Sequence, residues 1–357
     1  MSVDTFRRRA TLPEPPRGEI MLQAPPALPR NSGQGGMQLM FMLPMMLGMG
    51  AMSFVYIGRS GGAMTWIFGA LYISAMVGML VMGLSRGGAS KKAQINDERR
   101  DYLRYLGGLR GQVREVAVRQ REAALAALPD PADLWSFAGT ERLWERARTD
   151  PDFGRVRVGT GPQRLATALR APQTAPLEDL DPVASTSLRH FIRTYATVGE
   201  LPVAVSLRSF QRVTLTGDRP AVLDLARAVL AHLVTFHSPD DLRVAACLGA
   251  DRTDGWEWLK WLPHAVHPAR ADASGPLRLA APTLTELAAL LADDPADPAA
   301  RGPFKPGARP DAPHLLILLD GAGTLPDAGL DPPGGLAGTT VLEIGGGPGG
   351  GANTRDL

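Results

Sequence analysis

The sequence predicts an α/β protein: a two-helix transmembrane hairpin, a helical stalk, and a domain with a largely parallel sheet that is incomplete at its C-terminus. Two runs of 21 residues near the N-terminus contain no charge, and a proline-free stretch with helical apolar spacing follows them. From about Leu201, short apolar runs alternate with helical patterns. Near-continuous apolar strands separated by helices imply a parallel sheet covered on both faces.

Residues 1–36 form a Pro- and Arg-rich tail, with PEPPRG at 13–18 and APPALPR at 24–30. Prolines at this density exclude a helix and favour an extended chain, with a short strand at Glu19–Gln23. The tail is either a juxtamembrane tether or a segment that docks on a neighbouring subunit. Residues 37–84 read as the hairpin, with spans at 37–57 and 64–84. Each span matches the ~20 residues a helix needs to cross the hydrocarbon core, and backbone in lipid must bond to itself. Most of the 13 Met fall between Met37 and Met82. Only Arg59 lies in the link, whereas Arg7, Arg8, Arg9, Arg17 and Arg30 precede the first span and Arg86, Lys91 and Lys92 follow the second. The positive-inside rule then puts both termini in the cytoplasm. Neither span carries an ionisable residue that could line an ion path, so they serve as anchors.

Residues 85–200 read as a stalk with connecting elements. Ala89–Leu128 has no proline and repeats Ile95, Tyr102, Leu106, Leu109, Val113, Val116 and Leu125 at helical spacing. One long helix is predicted, or two broken near Gly107–Gly108. Pro131–Arg148 reads as a further helix with Leu134, Trp135, Leu143 and Trp144 on its apolar side. A short strand at Arg155–Val158, a loop at Pro172–Pro182 and a helix at Ser185–Val198 complete the region. Residues 201–357 are the α/β domain. Its strands are predicted at Arg212–Thr216, Leu242–Cys247, Leu315–Leu319 and Thr340–Ile344, and its helices at Ala221–Phe236 and Thr283–Leu291.

A strand, a turn at Gly217 and a helix, followed later by an apolar strand ending in Asp320, is the layout of a P-loop nucleotide hydrolase. The loop itself must read G-x-x-x-x-G-K-[ST] to cradle phosphates and magnesium. Counted from Gly217, the second Gly falls on Val222, the Lys on Leu223 and the hydroxyl on Asp224. Asp320 could serve as the magnesium-side acid, but Gly321 follows it and no second carboxylate is adjacent. The domain is therefore P-loop-like with a degenerate loop, and it offers no catalytic or cofactor-binding residue. The Gly-rich stretch Gly345–Gly351 lacks Lys-Ser or Lys-Thr and reads as a flexible loop.

Other chemistry is thin. Lys plus Arg total 38 against 36 acids, a net charge of +2, which argues against a nucleic-acid binder. The single cysteine, Cys247, fits a reducing compartment and reads as a packed thiol with no activating neighbour. His264 and His267 lack the third and fourth ligands that zinc requires, so no metal site is assigned. Trp256, Trp258 and Trp261 read as core packing or an inter-domain contact.

The segment WEWLKWLPH at 256–264, the PPRGEI and PPALPR tail, DPDFGRVRVGTG at 150–161, LRHFIRTYATVGELPVAVSLRSF at 188–210 and PHLLILLDG at 313–321 occur here in order behind the hairpin. In this the chain resembles the N-terminal portion of EccC, the membrane-bound FtsK/SpoIIIE-type ATPase subunit of type VII (ESX) secretion. The resemblance implies an inner-membrane assembly with EccB, EccD and EccE, self-association, and secreted WxG-type substrates. It places ATP and magnesium in further ATPase modules that this sequence does not include. The alternatives are a free-standing membrane scaffold or regulator ending at Leu357, or part of an FtsK-like DNA translocase.

Overall fold

The structure, a computed structural model, describes residues 10–28, 63–172, 176, 179–308, 311–321, 330, 332, 334–345 and 354–357. Strand β1 (Glu19–Met21) precedes helix α1 (Ala63–Ala127), and a 3₁₀ helix at Pro131–Phe137 follows. Then come β2 (Arg155–Arg164), β3 (Ala168–Arg170), α2 (Pro182–Tyr195), β4 (Thr197–Ser206) and β5 (Arg212–Leu215). Helix α3 (Arg219–Phe236) leads to β6 (Leu242–Leu248), a 3₁₀ helix at Thr253–Trp261, β7 (Val266–Asp272), β8 (Gly275–Arg278) and β9 (Ala280–Ala281). Helix α4 (Leu284–Leu291), β10 (His314–Asp320), β11 (Thr339–Ile344) and β12 (Thr354–Asp356) complete the chain. Two compact units result: one contains residues 16–118 and 164–198, the other 1–15, 119–163 and 199–357.

In the first unit, the predicted stalk helix is unbroken across Gly107–Gly108. Each glycine costs about 1 kcal/mol of helix propensity, but Tyr102, Leu106, Leu109 and Val113 bury one continuous face through that turn and hold it helical. Helix α2 starts where Asp181 caps it, accepting from the Ala184 amide at 2.8 Å, with Pro182 at the first helical position. Arg99 of α1 grips the same buried carboxylate through two bonds, 3.1 and 2.7 Å long, which hold Asp181 below the usual carboxylate range. In the described part of the proline-rich segment, residues 10–28, there is no helix, and the strand predicted at Glu19–Gln23 covers Glu19–Met21. Strand β1 pairs in parallel with β3, and Gln23 exchanges hydrogen bonds with the hydroxyls of Tyr102 and Tyr105. The helix predicted to reach Val198 ends at Tyr195, because β4 begins at Thr197.

The span at 37–57 lies outside the described residues. That at 64–84 falls on α1, where side chains are described at only a few positions. Among the described residues, no helix is long and apolar enough to cross a membrane. The Gly-rich stretch is described only at Gly345, so its predicted flexibility falls outside the described residues too.

The second unit is built on an all-parallel sheet in the order β12-β5-β11-β10-β6-β9. Strand side chains alternate between faces. Val244, Ala246, Leu316, Leu318 and Leu342 pack under α3 and Trp256. Ala245, Cys247, Leu315, Ile317 and Val341 pack under α4. Cys247 is fully buried, and burial pushes its thiol up. The helix predicted over Pro131–Arg148 is absent: a 3₁₀ turn ends at Phe137, and turns follow. Trp144 sits at a φ of 60°, a left-handed conformation no α-helix contains, and Trp135 is 80% exposed.

Buried histidines crowd the opposite edge of the sheet from Asp320. The ring nitrogens of His237 take opposite roles, Nε2 accepting from the Gly154 amide at 2.9 Å and Nδ1 donating to the Leu233 carbonyl at 2.8 Å. That arrangement requires a neutral ring. Nε2 of His264 donates to the His237 carbonyl, and Phe153 sits edge-on between His237 and His314. Burial pushes His232 and His314 down to about 3 and His264 to about 4, with His237 well below its ordinary value. The unfolded chain regains a pKa of 6.5 at each and binds more protons between these limits. Their contribution to stability is therefore complete above pH 6.5 and is lost as pH falls toward 3. Urea midpoints should begin to fall below about pH 6.5, earlier than carboxylate titration alone would bring. His232→Leu should flatten that slope.

A candidate functional site at the carboxyl edge of the sheet

The loop between β5 and α3 and the end of β10 face each other at the carboxyl edge, where ligands of open α/β sheets bind. Asp320, at the last position of β10, is fully buried. Arg219, the first residue of α3, meets it with Nη1 to Oδ1 at 3.0 Å and Nη2 to Oδ2 at 2.9 Å. Nε1 of Trp256 donates to the same Oδ2 at 2.8 Å. Both oxygens of the carboxylate are thus taken by charge-assisted or indole donors. The hydrogen bonds to Asp320 raise the Arg219 guanidinium above its ordinary value. Neighbouring turns leave little room: a Cβ on Gly249 would lie 2.8 Å from the Gly321 carbonyl, and Gly321 has a φ of 71°.

Gly217 holds the turn at a φ of 143°, open to glycine and strained for other residues. Val222 is buried beneath the loop, Leu223 is half-buried in the sheet-facing cluster, and Asp224 is exposed beside Arg227 at 3.3 Å. The structure therefore joins Asp320 to Trp256, which sequence reading kept apart, and to Arg219, which it passed over. The signal was available: an Arg opens the helix of a P-loop-like unit that lacks its Lys. Of the other tryptophans, Trp258 stacks at 6.0 Å from Trp256, and Trp261 is 78% exposed under Lys260. His264 and His267 serve backbone groups: Nδ1 of His267 accepts from the amides of Ala269 and Arg270.

A second constellation, also missed, lies where α1 ends. The last carbonyls of a helix have no partners within it. Here Arg142 donates to the Ala126 carbonyl at 2.9 Å, Arg146 to Ala127 at 2.6 Å and Arg157 to Leu128 at 3.4 Å. The same segment closes α3, as the Trp144 and Arg146 amides donate to the carbonyls of Thr235 and Phe236, and the Trp144 indole to Val234. Arg142 and Arg146 stack on the Phe236 ring at 5.3 and 4.5 Å, so two helix C-termini share one set of cations. The charges of Arg146, Arg157 and Arg142 add to burial in keeping His232 neutral.

Parallel sheet, loop-bearing strand and acid-bearing strand define an α/β domain of the P-loop-like class, with an ion pair at its carboxyl edge. No protein-family model matches the chain. Over nearly its whole length, however, the chain resembles EccC proteins of ESX secretion systems. It is 41% identical over 346 residues to the ESX secretion system protein EccC of Thermomonospora curvata, covering 96% of this chain and 26% of that protein. It is 37% identical over 343 residues to EccC3 of the ESX-3 system of Mycobacterium tuberculosis, covering 94% and 25% respectively. EccC4 of the ESX-4 system of the same species matches at 35% over 277 residues, 77% of the chain and 22% of that protein. The chain spans about a quarter of the length of these relatives.

Removing Arg219 leaves a fully buried carboxylate with only the Trp256 indole. Because Arg219 is partly exposed, Arg219→Ala should cost about 2–3 kcal/mol, less than the ~3–5 kcal/mol of breaking a fully buried pair. The double variant Arg219→Leu/Asp320→Leu should recover much of that loss. Chemical denaturation followed by tryptophan emission checks both.

Proposed function

We propose that the chain is the membrane-anchoring and stalk portion of a type VII (ESX) secretion motor and couples ATPase modules outside these residues to the secretion pore without hydrolysis of its own. The observation that carries this reading is the arginine-held end of α1. A helix whose last turn is fixed by three guanidinium groups carries force and orientation where an uncapped helix would fray. On α1 the apolar side chains Ile67, Leu71, Ile73 and Val77 are each more than half exposed, between 54% and 65%, as a lipid-facing surface requires. That supports a lipid-facing surface on the second span of a hairpin at 37–84, which in this reading lies in the inner membrane with both termini cytoplasmic.

The reading without hydrolysis rests on the site. Asp320 has both oxygens engaged by Arg219 and Trp256, and Val222, Leu223 and Asp224 stand where a phosphate cradle needs Gly, Lys and a hydroxyl. This donor set does not fit a magnesium–triphosphate complex. In this reading ATP and magnesium act in the other modules, which also engage WxG-type substrates. EccB-, EccD- and EccE-type subunits and further copies of the chain surround the anchor.

Inserting a Pro-Gly pair after Val113 should leave membrane insertion intact and abolish secretion; normal secretion by that variant would sink the coupling role. Titrating the chain with a fluorescent ATP analogue and magnesium should give no saturable signal. Saturable binding abolished by Asp320→Asn would instead make the carboxyl-edge site a working nucleotide site.

A further inference from the structure

Within the first unit, α1 and α2 leave a groove between them of about 570 Å³, bordered by Leu103, Gly107 and Arg110 on one side and His190, Phe191 and Tyr195 on the other. Its apolar floor is Leu106 and Phe191, and Leu103 at its lip is 39% exposed. The two segments that line it, 103–110 and 186–195, contain Arg104, Arg110, Arg189, Arg193 and His190 and no Asp or Glu, with Arg110 and His190 on the groove itself. Arg104 is satisfied by Asp101 at 2.6 Å, but Arg110 and Arg193 have no carboxylate partner among the described residues. Both are exposed.

The glycines point the same way. Gly107 and Gly111 lie one turn apart on α1, and a Cβ at either would meet nothing within 4 Å. Their cost to the helix is therefore not repaid by any close approach among the described residues. Small residues spaced by four let a second helix bring its backbone close. An apolar floor, a backbone-level opening at Gly107 and an unpartnered Arg110 at the rim, with Arg193 on the adjoining helix, together fit one kind of occupant.

We infer that this groove is the docking site of an amphipathic helix from a different protein, one that presents an apolar edge flanked by carboxylates. A symmetric pairing of two copies through this face would set its own cations against each other. The inference is independent of the membrane reading and of the degenerate nucleotide site.

The test places a photo-activated benzophenone side chain at His190 in the full-length protein in its own cells and identifies the adduct peptide by mass spectrometry. The expected product is a peptide of another protein with Asp or Glu at helical spacing. Arg110→Glu combined with Arg193→Glu should lower its yield at least about tenfold, and reversing the partner's carboxylates to Lys should restore it. Gly107→Leu should raise the melting temperature of the chain, since the new side chain has open space, yet abolish the adduct. No adduct, a lipid adduct, an adduct to a second copy, or a yield unchanged by charge reversal would each overturn the inference. The identity of the captured protein bears separately on the secretion reading: a charge-dependent partner outside secretion would uphold the groove and count against the proposed function.

Discussion

The second unit depends on a problem common to all helices: the last carbonyls have nothing to bond to. Helices α1 and α3 both end in the same place, and two negative helix termini brought together in low dielectric would repel. The segment from Arg142 to Arg157 resolves this with cations, since Arg142 and Arg146 lie over Phe236 while they and Arg157 reach the carbonyls at 126–128. Other features follow from it. Trp144 must adopt a left-handed backbone to put its amide and its indole on the end of α3. His232, facing the same guanidinium groups, must stay neutral. The chain between Phe137 and Arg155 cannot be helical, because its amides and side chains are committed elsewhere.

At the other edge of the sheet, the electrostatic logic is reversed. A buried carboxylate at the end of β10 needs a counter-charge, and in a P-loop fold a hydrated metal and a lysine would share that task. Here the counter-charge is covalently part of the fold, delivered by the first residue of α3. The indole of Trp256, from the 3₁₀ helix that follows β6, completes the set.

Legibility followed the range of the forces involved. The sheet strands at 212–215, 242–248, 314–320 and 339–344 were readable because each is a local run of apolar residues flanked by turn formers. The long helix was readable from its spacing of Tyr102, Leu106, Leu109 and Val113. What could not be read locally was whatever depends on a partner distant in sequence. Trp144 and Leu143 have helical spacing in their own window, but the carbonyls that decide their conformation lie some 90 residues away. Arg219 looks like an ordinary helix-opening residue until Asp320, 101 positions later, is placed beside it. The failed loop at Val222, Leu223 and Asp224 was a statement about residue types and could be made without coordinates. The ion pair that accompanies it could not.

Helix α1 has a consequence of length alone. At 1.5 Å per residue its 65 residues make a rod of about 98 Å. A tilt of about 5° at the seated end carries the far end sideways by about 9 Å on that length, close to the diameter of another helix. Angular stiffness at the three arginines, more than the strength of any one bond, therefore limits the sideways excursion of so long a helix.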